Sequence, residues 1–343
     1  MADALLSPGV GGGMYAASVA AIAISAAKIK KDDLGESKVP LMAVSGAMDF
    51  AAQMINFTIP ATGSSGHIGG GILLAALLGP FAGLLALAAV LVIQCLFFAD
   101  GGLLALGCNI FNMGVIPCLF IYPLAFRRVL SPSPNAKRIW AGSVVCVVAS
   151  LQLGAFGVVA ETAASGVTEL PFSAFILLMQ PIHLAIGVVE GLVTAAILNF
   201  VYAARPEILT SAAFGTRPQS AAKTRKPASM KKVILAFACV AIVAGAALSL
   251  LASPYPDGLE WSMEKVAGTA GLEAGGGVFE SFAAAQERLS FMPGYDFAAG
   301  AGTGAPVAGI IGAAAVFAAA GAAGLVIRVC KKKRRAAGAA KDA

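Results

Sequence analysis

The 343 residues are 58% hydrophobic and only 12% charged, with a mean hydropathy of +0.84. Soluble domains carry about 25% charge, so the composition excludes one large soluble core and predicts an all-α polytopic membrane protein. The net charge of +6 reads as positive-inside topology in a lipid bilayer rather than as a nucleic-acid surface, because the basic residues cluster at the ends of apolar runs.

A helical span needs roughly 20 apolar residues. Candidate spans in chain order are about 9–28, 39–57, 68–98, 109–129, 138–160, 172–203, 231–252 and 305–329. The first apolar run has no basic stretch before it, and its lysines follow it. It therefore reads as a retained span with the N-terminus outside, rather than as a cleaved signal. The 68–98 run is too long for one crossing and is broken at Gly79-Pro80. It predicts two short helices, either two crossings or a re-entrant hairpin. A bend is expected at Gln180-Pro181 within 172–203.

Basic clusters lie at Lys28–Lys38, Arg127–Arg138, Arg205–Lys232 and Lys331–Arg335. All four fall in the cytoplasm if 68–98 makes an even number of crossings, which predicts a multi-pass protein of the inner (plasma) membrane with an extracytoplasmic N-terminus. Residues 205–230 lack periodicity and contain Pro, Ser and Lys, the composition of a flexible linker. This divides the chain into a membrane domain over 1–205 with about seven helices, a cytoplasmic basic linker over 206–230, a two-helix membrane module over 231–330 with a long outer loop, and a basic tail over 331–343. Gly309, Gly312, Gly321 and Gly324 in the final span offer a close-packing face for docking on the first bundle. Cys95, Cys108, Cys118, Cys146, Cys239 and Cys330 show no paired spacing and read as small hydrophobes.

The polar, glycine-rich stretch from Gln53 to Gly71 interrupts this pattern. Between Pro40 and Ala99 the one formally charged residue is Asp49. Irregular backbone at membrane depth must be buried in protein or line a cavity. At its centre lies His67, one of two histidines in the chain. Two readings stand for it: a hydrogen-bonded interfacial histidine, or a transition-metal ligand beside flexible backbone. Asn109 and Asn112 open the next span; one reads as a helix cap, and the other as a partner for His67 or a closure of its site. Asp100, before two glycines, reads as a turn residue. His183 and Glu190 are seven residues apart, two turns along one helix face. They and Asp49 read as packing or coupling residues, because intramembrane ionisable groups face the bundle interior. Asn56 completes the polar set. In the outer loop 253–304, Asp257, Glu260, Glu264, Glu273, Glu280 and Glu287 either solvate the loop or draw cations toward it. The sequence contains no nucleotide-binding P-loop, no HExxH and no GxSxG elbow, so no enzymatic activity is expected.

Several motifs, in order, carry a resemblance: Ala2-Asp-Ala-Leu-Leu-Ser-Pro8, Ala52-Gln-Met-Ile-Asn-Phe57, Ser65-Gly-His67-Ile-Gly-Gly70, Asp100-Gly-Gly-Leu-Leu-Ala-Leu-Gly107, Asn109-Ile-Phe-Asn-Met-Gly114 and Ile186-Gly-Val-Val-Glu-Gly191. Over about 1–210 the chain resembles the CbiM/NikM substrate-capture components of energy-coupling-factor transporters. Pro256-Asp-Gly-Leu-Glu-Trp261 and Met292-Pro-Gly-Tyr-Asp-Phe297 resemble the PDGLE module of NikN- and CbiN-type auxiliaries. The resemblance implies capture of Ni²⁺ or Co²⁺ as transported substrate, tilted toward nickel by the fused auxiliary. It also implies a CbiQ/NikQ-like transmembrane coupling protein and a CbiO/NikO-like cytoplasmic ATPase as partners, and a place in metal supply for cobalamin synthesis. The implied ligands are the terminal amine, here that of Met1, the backbone nitrogen and imidazole of a second-position histidine, and the loop histidine, which maps onto His67. Four planar nitrogens suit these ions. The chain begins Met1-Ala2-Asp3 where family members begin Met-His-Met-Ala-Asp. The expected natural start therefore lies two residues upstream, and the chain as it stands lacks one implied imidazole. The rival readings are an ion-coupled secondary transporter, for which no inverted repeat is visible, an intramembrane enzyme linked to corrin synthesis, and a purely structural subunit.

Overall fold

The computed structural model describes residues 1–29, 38–130, 134–168, 170–214, 229–269, 276–297 and 304–339, the last nine of these as backbone alone. Helix α1 (Pro8–Lys28) starts at Ser7, whose hydroxyl accepts Val10 N–H at 3.4 Å, with Pro8 in the first turn where its missing N–H costs nothing. Its buried residues are Gly11, Ser18 and Ser25, so it meets the bundle along a thin line of small side chains.

Helix α2 (Lys38–Gln53) is the central element, with 13 of its 16 residues buried. At ~24 Å it is shorter than the ~30 Å hydrocarbon layer. The span expected over 39–57 thus ends early: after Gln53 the chain turns into a hairpin of β1 (Phe57–Ile59) and β2 (Ser64–Gly66), antiparallel with Phe57 opposite Gly66. The 68–98 run divides at Gly79 as expected, into α3 (Gly71–Leu78) and α4 (Pro80–Phe98). Eight residues cover only ~12 Å. The short helix α3 and the long helix α4 thus share the run unequally, and α4 alone is long enough to span.

Helix α5 runs from Leu106 to Leu130. Its turns are widened over Phe111–Phe126, where Pro117 and Pro123 sit inside the helix. A proline ring clashes with the carbonyl four residues back, and a wider turn relieves that clash. Long helices α6 (Ala136–Ser165) and α7 (Phe172–Ala204) form an antiparallel pair. Pro181, where the sequence pattern predicts a bend, lies inside α7, which continues through it. Beside it, the Gln152 and Gln180 side chains each donate to the other's backbone carbonyl, at 2.9 and 3.2 Å.

The linker expected over 206–230 begins instead with a helix, α8 (Pro206–Phe214), which buries Ile208 and Leu209 and passes beside Gly79. Its two apolar contacts outweigh the linker-like composition around it; residues 215–228 lie outside the described set. Helix α9 (Met230–Ala246) opens the second module. The outer loop then folds into α10 (Gly258–Ala267) and α11 (Gly277–Leu289) before α12 (Gly304–Ala339). The last helix continues through the expected basic tail as far as Ala339.

Among the described residues, six helices are long and apolar enough to cross a membrane: α1, α4, α5, α6, α7 and α12. Helix α12 lies along α2. Gly312 sits against the Phe50 ring, Gly309 against the backbone of Gly245, and Gly324 against Val39 and Met42. Tyr295 stacks on Phe98 at 4.8 Å, and Phe98 meets Phe50 at 5.6 Å, fastening the outer loop to α2 and α4.

A Cβ at Gly312 would overlap the Phe50 ring, whereas one at Gly321 would make ordinary contact with Ala43 at 3.4 Å. Gly312→Leu is predicted to lower stability by about 1–3 kcal/mol through overpacking and Gly321→Ala to be near neutral, as read by thermal unfolding in detergent.

Candidate metal centre

The site is built on the loop that joins β2 to α3. In a membrane interior its bare amides need protein acceptors. Glu190, on α7, supplies them: its carboxylate accepts Gly69 N–H at 2.8 Å and Gly70 N–H at 3.0 Å. Gln53 donates to the Gly69 carbonyl at 3.2 Å and to Asp49 at 3.0 Å, and itself accepts from Gln94 at 2.9 Å. Gly70 adopts φ +75°, and a Cβ there would fall within the Asp49 carboxylate. Only glycine satisfies both the left-handed backbone and the closeness.

Above this loop is a cavity of about 150 Å³ whose lining includes Met1, His67, Asn109, Asn112, His183 and Glu190. Asn56 lines an adjoining cavity of about 350 Å³ with Gln53, Gln94, Asp100 and Tyr295. The two share Met1, His67, Asn109, Met113 and Asp257. Asp49 lines neither.

The Met1 amine donates to Asn109 Oδ1 at 3.1 Å, and Met1's carbonyl accepts Gly102 N–H at 3.0 Å. His67 Nδ1 lies 3.1 Å from the Ile68 carbonyl. A proton on Nδ1 is satisfied there and leaves the Nε2 lone pair available to a metal. His183 Nδ1 makes the same kind of bond to Met179 O, at 2.8 Å. Among the described residues no group of three or more His, Cys, Asp and Glu side chains is placed to hold a metal ion. A metal in this cavity therefore needs donors from outside that set.

The capping role expected of one asparagine is not found, whereas both line the cavity with His67. Helix α5 begins at Leu106, three residues before Asn109, with Ala105 in the capping position. Neither asparagine is the cap; Asp3 accepts Ala105 N–H at 2.9 Å from a distant part of the chain. Asn112 donates to buried Glu161 at 2.9 Å. Asp100 does occupy a turn, between Ala99 and Gly101 at positive φ, and also accepts from the Tyr295 hydroxyl. Burial and the Asp100 charge hold the Tyr295 hydroxyl's pKa well above its usual range.

The second module covers the loop. Ser253 N–H donates to the Asn56 carbonyl at 2.7 Å, and Thr58 donates to the Ser253 hydroxyl at 2.8 Å. Ser65 N–H donates to Pro256 O at 2.7 Å, and its hydroxyl to Tyr255 O at 2.8 Å. Trp261 Nε1 donates to Thr62 O at 3.0 Å. The Asp257-Gly-Leu-Glu260 run is a capping box: Asp257 accepts Leu259 and Glu260 N–H at 2.9 and 2.8 Å, and Glu260 accepts Asp257 N–H at 3.3 Å. Gly258 packs against His183 Cε1 and Ile182, each 3.2 Å from where a Cβ would sit. Two acids of the loop thus shape a helix start, whereas Glu264, Glu280 and Glu287 are exposed and Glu273 lies outside the described residues. Burial, then the neighbouring Asp257, raises the Glu260 pKa.

Individual motifs could not reveal Asp3, Ser65, Trp261 and Glu161 as site-building residues, because each acts on a partner far along the chain. The D-x-x-E capping pattern at Asp257 was the one legible signal.

Helices that cross a membrane and enclose a polar cavity near one end define a multi-pass membrane transport component. The family model described as the cobalt uptake substrate-specific transmembrane region, CbiM, matches residues 1–208, and the PDGLE domain model matches residues 231–329. The chain belongs to the CbiM family, with a PDGLE domain following, and is a membrane component of metal transport. It is 30% identical to the fused nickel transport protein NikMN of Rhodobacter capsulatus, covering 79% of this chain and 78% of that one. It is 35% identical to a putative fused nickel transport protein NikMN of Archaeoglobus fulgidus, covering 60% of this chain and 66% of that one. A crystal structure of a transition metal transporter superposes with a TM-score of 0.53 at 29% identity, covering 64% of this chain and 99% of the other.

Gly63 and Gly70 share φ +75°, but nothing lies within 4 Å of a Cβ at Gly63. Gly63→Ala is predicted to cost about 1–2 kcal/mol. Gly70→Ala carries the same backbone cost plus displacement of Asp49 and the Glu190 clamp. Amide hydrogen exchange over 66–72 should rise at least tenfold in Gly70→Ala relative to Gly63→Ala.

Proposed function

We propose that this chain is the substrate-capturing membrane component of an energy-coupled importer for a divalent transition metal, nickel or cobalt. The ion is taken at the extracytoplasmic end and passed inward. The observation that supports this reading is the loop imidazole of His67, its Nδ1 turned to the Ile68 carbonyl, lining one polar cavity with Asn109, Asn112, His183 and Glu190 in a chain of the CbiM family. Nitrogen donors suit Ni²⁺ and Co²⁺ over the harder Mg²⁺ and Ca²⁺. The two metals share that chemistry, so the donor set selects the class and not the individual ion.

Orientation follows from charge. The cavity end is poor in Lys and Arg, while Lys28, Arg127, Arg128 and Arg138 lie at the opposite helix ends, a distribution that supports an extracytoplasmic N-terminus. Energy comes from a separate transmembrane coupling protein and cytoplasmic ATPases; the role here is binding and translocation rather than bond making. The PDGLE module acts as a brace that holds the His67 loop through Ser65, Thr62 and Asn56.

Equilibrium binding of Ni²⁺ and Co²⁺ to the purified full chain tests this. His67→Ala should reduce affinity for both ions at least tenfold, since loss of one ligand costs more than about 1.4 kcal/mol. Equal affinity in wild type and variant would place the site elsewhere. The brace predicts a smaller effect: Trp261→Phe removes one hydrogen bond worth about 1 kcal/mol and should weaken ion binding several-fold while leaving the fold intact by circular dichroism.

A further inference from the structure

The proposed capture site leaves one buried group unused. Asp49 is wholly inaccessible, and its Oδ1 has no hydrogen-bond partner, although Oδ2 accepts from Gln53 at 3.0 Å. That free oxygen points at Gly70, close enough to occupy the space of a Cβ. Glu190, 2% exposed, reaches the same two residues from the other helix through the Gly69 and Gly70 amides, and it also lines the capture cavity. Two buried carboxylates thus converge on one short piece of backbone. Asp49 lies one turn along α2 from Gln53, which lines the adjoining cavity.

A buried carboxylate oxygen with no partner is costly, and structures tolerate such groups where something arrives to complete them. We propose that Asp49 and Glu190 form a second, oxygen-donor station for the divalent transition-metal cation, directly inward of the capture cavity and closed by the Gly69–Gly70 backbone until the loop moves. The proposal rests on the capture reading above and extends it along the route. Its chemistry supplies a direction. An ion leaving amine and imidazole nitrogens for carboxylate oxygens passes from donors that suit nickel and cobalt to donors that suit them less. A transport route needs binding favourable enough for the ion to enter and weak enough for it to leave. When the loop shifts, Glu190 exchanges its two amide bonds for the cation, and Asp49 Oδ1 completes the pair. No covalent step is involved.

The test separates binding from passage. Co²⁺ affinity is measured on the purified full chain, and Co²⁺ uptake is measured in cells where the wild-type chain supports it, for wild type, His67→Ala and Asp49→Asn. Asp49→Asn should keep its affinity within about threefold of wild type and lose at least tenfold in uptake. His67→Ala should lose both. Uptake in Asp49→Asn within about twofold of wild type at equal protein level would overturn the station. So would a loss of affinity as large as that of His67→Ala, which would make Asp49 a support for the loop. If Asp49→Asn does not yield folded protein, Asp49→Ser, which empties the crowded space at Gly70, is read by the same two measurements. The station is overturned if neither variant separates uptake from affinity. Wild-type binding no tighter than that of His67→Ala would defeat the capture reading and the station together, whereas tight wild-type binding with unimpaired uptake in Asp49→Asn defeats the station alone.

Discussion

The fold depends on one constraint: a non-helical loop is enclosed among apolar helices, and every buried amide in it must find an acceptor inside the protein. Glu190 meets that need by accepting both Gly69 and Gly70 N–H, and Gln53 meets the complementary one by donating to the Gly69 carbonyl. The helices that carry these two side chains, α7 and α2, therefore have to stand on either side of the loop. Helix α2 becomes central and nearly fully buried, and α3 is left short because the loop occupies the depth that a full helix would have used.

The second module follows from the same need. The β1–β2 hairpin is only two strands, which is too little to be stable alone in water. The Ser253–Pro256 segment and Trp261 bind its backbone and side chains, and the Asp257 capping box fixes where that segment turns into α10. The aromatic contacts of Tyr295 with Phe98 and the glycine face of α12 against α2 anchor both ends of the module. The acidic residues of the loop are thereby divided by position: Asp257 and Glu260 build structure and line a cavity, and Glu264 and Glu280 are exposed.

Much of the architecture was legible in the chain. Apolar run length located α1, α4, α6, α7 and α12, and Gly79-Pro80 located the break before α4. The polarity of Gln53–Gly71 marked the loop, and the scarcity of histidine drew attention to His67 and His183, which line one cavity together with Met1, Asn109, Asn112 and Glu190. Where local reading failed, a distant partner had overridden it. Asp3 accepts the Ala105 N–H where α5 begins, and neither Asn109 nor Asn112 caps that helix. Helix α8 formed within a linker-like composition because Ile208 and Leu209 found a core to enter.

The sequence by itself determined that the protein is helical and membrane-embedded, which end of each helix carries the basic residues, and that an irregular polar segment with a histidine sits among apolar spans. These follow from composition and local order, because hydrophobic length and charge act residue by residue. Tertiary structure alone decided which polar groups meet. The pairing of Glu190 with Gly69 and Gly70, of Met1 with Asn109, and of Ser65 with Pro256 joins residues 121, 120, 108 and about 190 positions apart. Hydrogen bonds between groups so far apart leave no periodicity in the chain. They are fixed by how the helices pack and by the cost of leaving any buried donor or acceptor unmet.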